Sequence, residues 1–166
     1  MRCKGWFATL ALSLAVAASP AMAGGAQVLH SYAIVNNDAS LIVRGKRVYL
    51  FGIYVPEADQ LCGRVVRPVF CGTRAAVALD LKITGFVRCE VVEAYDDGSV
   101  GAFCAVGTNP FSGGEDLGAY LISRGLALAG PGAPFEYAAL ERIAAANGRG
   151  VWGFQVDAMR RPRIVN

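Results

Sequence analysis

The chain has 166 residues, with sixteen Lys or Arg against thirteen Asp or Glu and a hydrophobic fraction of 54%. Setting aside residues 1–23 with Arg2 and Lys4 lowers the formal charge from +3 to +1, which excludes the dense cationic footprint typical of a nucleic-acid binder. The remaining 143 residues suffice for one domain around one core.

Residues 1–23 read as a secretory signal peptide. Arg2 and Lys4 precede an apolar run from Trp6 to Ala18, and Ala21-Met22-Ala23 offers small residues for cleavage. The run falls short of the ~20 apolar residues of a membrane span, although an uncleaved anchor is the competing reading. A secreted or periplasmic domain over 24–156 is expected, free of the membrane after cleavage, with a basic tail over 157–166 holding Arg160, Arg161 and Arg163. A solvated terminus accounts for that basic cluster as simply as a ligand does.

Segments 27–35, 40–44 and 47–55 are rich in β-branched and aromatic residues, and Asn36-Asn37-Asp38 and Arg44-Gly45-Lys46 separate them as turns, so a three-stranded meander is predicted. Thr73 is placed to cap a helix to Ile83, with Ala76, Leu79 and Ile83 on one side and Gly85 as its stop. Two more strands, 87–93 and 100–106, flank the turn signal Asp97-Gly98. A loop over 108–114 leads to a helix over 115–124 that buries Leu117, Tyr120 and Leu121. The GPGAP stretch then precedes a last helix over 135–146, and Trp152 reads as a core plug behind it. Five strands ordered three, helix, two, with helices trailing, predict an α+β, mainly β fold: a five-stranded OB-type Greek-key barrel with three helices.

Cys3 leaves with the signal, so Cys62, Cys71, Cys89 and Cys104 remain, an even number in an exported chain. Cys89 and Cys104 flank Asp97-Gly98 at nearly equal distance and should face each other on a hairpin, while Cys62 and Cys71 bracket the loop GRVVRPVF. The expected bridges are therefore Cys62–Cys71 and Cys89–Cys104. A tetrathiolate zinc site competes, but no C-x₂-C knuckle is present.

The strand LIVRGKRVYLFGI, the pair Pro56-Glu57, the Q-x-C and CG-x-x-A boxes, the helix ending RGLA and the closing RGVW follow one another in an order that resembles exported staphylococcal-nuclease-like (thermonuclease) domains over roughly residues 30–155. The resemblance implies a barrel. It also implies calcium held by acidic groups, a glutamate that activates water and two arginines that clamp a phosphodiester. Glu57 matches the glutamate. Tyr54 stands where a metal-binding aspartate is expected, Tyr49 where the first arginine is, and Ser99 where the second is. The other acidic position falls on Asp38 or Ala39, depending on a one-residue shift. Arg47 and Arg88 are candidates to replace the lost cations, with solvated strand charges as the plain alternative.

With both clamping arginines replaced, calcium-dependent hydrolysis is expected to be lost, since each missing donor costs about 2.7 to 4 kcal/mol of transition-state stabilisation. The implied role is a binding or accessory module, a pseudoenzyme, with no cofactor. A weak or altered phosphodiesterase using Glu57, Asp38, a relocated arginine and calcium is the enzymatic alternative. A structural protein-interaction module of the envelope is the third. The expected ligand face comprises Asp38, Arg47, Tyr49, Tyr54, Arg88 and Ser99. Its partner is expected to be a nucleic acid or an oligosaccharide stacked on tyrosine, or else a protein, with the domain monomeric. His30, the single histidine, has no Ser or Cys arrangement with which to form a catalytic triad or dyad. GPGAP lacks the lysine and hydroxyl of a phosphate-cradling loop.

Overall fold

A computed structural model describes residues 27–57, 61–62 and 69–153 of the chain. The signal segment and the basic tail lie outside the described residues. So do the side chains of Cys62 and Cys71, and with them the expected bridge between these two.

In chain order the elements are β1 (Val28–Val35), β2 (Leu41–Val43), β3 (Lys46–Leu50), β4 (Ile53–Tyr54), β5 (Leu61–Cys62), β6 (Val69–Phe70), α1 (Cys71–Lys82), β7 (Phe86–Ala94), β8 (Val100–Val106), β9 (Glu115–Asp116), α2 (Leu117–Ser123), β10 (Leu128–Ala129) and α3 (Phe135–Ala146), followed by a 3-10 turn over Gly150–Gly153. Neighbours β3, β2, β1, β7 and β8 pair antiparallel in that order. A parallel pairing of β3 with β8, Val48 opposite Val100 and Leu50 opposite Ala102, closes the sheet into a barrel. The protein is thus an α+β, mainly β chain built on a closed five-stranded OB-like barrel with three helices.

Strand alternation explains the core. Leu29, Leu41, Val43, Val48, Leu50, Val87, Cys89, Val100, Ala102 and Cys104 all point inward and are buried. Cys89 and Cys104 lie opposite each other across β7 and β8 and form a disulfide inside the barrel. The β2–β3 hairpin turns on Arg44 and Gly45, both at positive φ (53° and 76°), the two-residue geometry that matches strand twist.

Several boundaries differ from the sequence expectation, mostly because distant segments meet there. The strand expected over 47–55 breaks at Gly52. This residue has φ 73° and lies so close to Ala133 that a Cβ would stand 2.9 Å from its Cα. Beyond the break Ile53 and Tyr54 leave the barrel and pair with Leu128 and Ala129. At the two ends of the loop expected between Cys62 and Cys71, Leu61 pairs with Phe70 and Cys62 with Val69. The first helix begins at Cys71, so Thr73 lies within its first turn and is not its cap. The second begins at Leu117, because Glu115 and Asp116 pair with Val106 and Ala105 of β8 and Asp116 serves as the N-cap. Tyr120 is half-buried rather than core. It donates to the Ala78 carbonyl at 3.4 Å, with the Arg124 guanidinium 4.3 Å from its ring centroid. Trp152 is 37% exposed, and its neighbour Val151 fills the core position.

Helices α2 and α3 are locked together at one atom. Asp116 Oδ1 accepts from the Ala119 amide and from the Tyr137 hydroxyl, both at 2.6 Å. Gly118 sits beneath that hydroxyl, where a Cβ would come within 2.5 Å of it.

Candidate site at the barrel mouth

The turns after β1 and β7 carry the same local motif, Asp-x-Ser. Asp38 Oδ1 accepts from the Ser40 amide at 3.0 Å and the Ser40 hydroxyl at 2.6 Å; Asp97 Oδ1 accepts from the Ser99 amide at 2.9 Å and the Ser99 hydroxyl at 2.5 Å. Asn36 Nδ2 donates to Ser40 Oγ at 2.9 Å and completes the first turn. Each aspartate thereby spends one oxygen on its own loop.

Arg47 on β3 reaches into this region. Its Nη1 lies 3.5 Å from Asp38 Oδ2 and donates to Tyr49 Oη at 3.4 Å, and Asp97 adds to its field. Burial raises the Asp38 carboxyl, but the Ser40 hydrogen bonds and the Arg47 charge outweigh it and leave the pKa lowered. The Ser99 hydroxyl and amide lower that of Asp97. Both are carboxylates at neutral pH. Tyr49 and Tyr95 meet edge to face with centroids 6.2 Å apart, and Tyr95 lies across Gly101, where a Cβ would stand 2.8 Å from its hydroxyl. Burial and then the Glu93 charge hold the Tyr95 phenol protonated above its ordinary range.

An open hollow of about 480 Å³ is lined by Arg44, Gly45, Lys46, Arg47, Asp97, Gly98 and Ser99. Of the residues expected at the ligand face, Asp38, Arg47, Tyr49 and Ser99 gather here, although the Ser99 side chain is buried and turned to Asp97. The acidic candidate at the mouth is Asp38. Ala39, at φ 61°, is 3% exposed and belongs to the core. Tyr54 sits opposite Leu128 on the small β4–β10 sheet. Glu57 follows buried Pro56, is exposed, and makes no hydrogen bond or ion pair with another described residue. Arg88 lies elsewhere: it pairs across the sheet with His30, bonds Glu90 and lines a different hollow beside Thr108 and Phe111.

Sequence reasoning misses Asp97, Tyr95, Arg44 and Lys46. The repeat of Asp38-Ala39-Ser40 in Asp97-Gly98-Ser99 is the signal for Asp97, because both triplets sit in hairpin turns.

Calcium takes about six to eight oxygen ligands. Asp38 and Asp97 have one oxygen each committed to a serine, a guanidinium faces the other oxygen of Asp38, and no group of three or more His, Cys, Asp or Glu able to hold a metal occurs among the described residues. These residues do not fit a calcium ion. No protein-family model matches the chain, and no curated protein matches it significantly.

Proposed function

We propose that the protein is an exported domain of the thermonuclease-like type that has given up phosphodiester hydrolysis and works as a binding or accessory module. The observation that carries this reading is the engagement of Arg47. In a phosphoryl-transfer site a guanidinium must be free to grip the developing charge on phosphate. Here it lies between Asp38 and Tyr49, in a mouth whose other carboxylate is tied to Ser99. Tyr49 and Tyr95 offer aromatic surface beside Arg44 and Lys46, a combination suited to a single strand of nucleic acid or a sugar chain at an OB-type mouth. The buried Cys89–Cys104 bridge is compatible with an oxidising compartment, which supports export.

The test is incubation of the oxidised mature protein with labelled DNA and RNA, with calcium and with chelator. The expected result is no calcium-dependent cleavage above a buffer control. Cleavage that requires calcium and disappears in Glu57→Gln would establish the enzymatic alternative instead.

A further inference from the structure

The outer face of the barrel on β1 and β7 is not covered by any described element. His30, Tyr32 and Phe86 form a contiguous aromatic group there: the Tyr32 and Phe86 centroids are 4.3 Å apart at 32°, and those of His30 and Phe86 are 5.4 Å apart. Tyr32 is 67% exposed and Phe86 51%. Beside them opens a hollow of about 840 Å³ whose polar rim includes Lys82, Thr84, Thr108, Ser112 and Glu115. Thr108 and Ser112 also line the adjoining hollow under Arg88 and Phe111, so the two run together as one groove.

The far wall of this groove is a hydrogen-bonded loop tip. Asn109 and Ser112 exchange backbone hydrogen bonds at 3.0 and 3.1 Å, and Asn109 Oδ1 accepts from the Phe111 amide at 2.9 Å. Gly114, at φ 82°, lets the loop return so close to β8 that a Cβ would stand 2.4 Å from the Val106 carbonyl oxygen. At the tip Phe111 is 100% exposed, an aromatic ring held out into solvent by an ordered turn. Such a ring buries no surface within the described fold and is free to meet a ligand.

Charge decides the class of that ligand. Both cations bordering the groove are neutralised within the protein, Lys82 by Glu115 and Arg88 by Glu90, so the described residues of the groove leave no unpaired positive charge to hold a phosphate backbone. The rings of His30 and Phe86 on one side, with Tyr32 extending them outward against Phe86, the ring of Phe111 on the other, and the hydroxyls of Thr84 and Thr108 with no hydrogen bond to another described residue match a neutral, hydroxyl-rich ring compound. Its apolar faces would stack on the rings while its hydroxyls meet those of the threonines. We infer that the groove between His30/Phe86 and Phe111 binds a neutral oligosaccharide. This site lies on a different face from the mouth and stands whether or not the mouth cleaves phosphodiesters.

The experiment is calorimetric and NMR titration of the oxidised protein with chitotetraose, cellotetraose and maltotetraose. At least one is expected to bind saturably, with amide shifts centred on Phe86, Thr108 and Phe111 that persist at high salt. Phe86→Ala and Phe111→Ala, both at exposed positions, are expected to weaken that binding at least about tenfold with unchanged melting temperature. Thr84→Val, which keeps the shape and removes the hydroxyl, is expected to cost about fivefold. Failure of all three sugars to bind, binding indifferent to both phenylalanine substitutions, or displacement of the sugar by an oligothymidylate would overturn the assignment.

Discussion

Replacing Cys89 and Cys104 together by alanine is expected to lower the stability of the domain by about 3 kcal/mol, because the bridge closes a loop of 15 residues in the unfolded chain. In a domain of this size that corresponds to a fall of roughly 6 to 12 °C in melting temperature. The position of the bridge adds to the effect. Both sulfurs lie inside the barrel, 0% and 1% exposed, among Leu29, Val87 and Ala102, so their removal also leaves unfilled space between β7 and β8. Reduction of the wild type breaks the same constraint while keeping both sulfurs, so it should cost less than the double substitution. Calorimetry of the oxidised, reduced and doubly substituted proteins checks this order. A double variant melting within about 2 °C of the oxidised wild type would contradict it.

The second large effect is expected at Asp116. One carboxylate oxygen caps α2 through the Ala119 amide and accepts the hydroxyl of Tyr137, a residue only 4% exposed. Asp116→Ala removes the cap, worth about 0.5 to 2 kcal/mol. It also strands a buried phenol, for about 1 to 3 kcal/mol more. A total loss of about 1.5 to 5 kcal/mol follows, read by urea denaturation. Asp116→Asn keeps an acceptor and should recover roughly half of it.

The same contact sets a dependence on alkaline pH. Burial, and next the bond to Asp116, hold the Tyr137 phenol protonated far above its ordinary 10.0. Below pH 10 the phenol is neutral in both folded and unfolded chains, and its contribution is fully present. As pH rises past that value the unfolded chain releases the proton first, and stability falls. Tyr137→Phe should flatten this decline, leaving the smaller part due to Tyr95, whose phenol is also raised. An equally steep decline in Tyr137→Phe would refute the assignment.

The barrel is legible in the sequence because its two signals are local. Period-two alternation marks the inward residues of β1, β3 and β8, and the turns Arg44-Gly45 and Asp97-Gly98 fix which strands are neighbours. Cysteines at nearly equal distance from a hairpin turn are placed almost opposite each other, and the register shift between Val91 and Glu93 brings Cys89 and Cys104 face to face for the bridge. What escapes a reading of the sequence depends on contacts between distant segments. The end of the third strand is hidden because the close approach of Ala133 to Gly52 is a tertiary fact. The start of α2 is displaced because Glu115 and Asp116 find partners on β8 before the helix begins. At the mouth, Arg47 and Tyr49 follow from strand alternation, and Asp38 from the position that the resemblance gives it. Asp97 is marked only by its repeat of the Asp-x-Ser triplet, and Tyr95 by nothing local, because the parallel closure of β3 against β8 is what brings both to Arg47 and Tyr49. Charge alone groups Arg88 with the mouth, whereas its pairing with His30 puts it on the other groove.

At the mouth Asp38 is met by Ser40 and Arg47, and Asp97 by Ser99, an arrangement on which the proposed loss of calcium-dependent chemistry rests. A calcium titration followed on the backbone amides of Ser40 and Ser99, whose protons point at the two aspartates, probes this at the atoms concerned. Neither amide is expected to show a saturable shift up to millimolar calcium. A saturable shift of both that is abolished in Asp38→Asn would show that the carboxylates remain a calcium site and would contradict the loss of phosphodiester chemistry proposed for this domain.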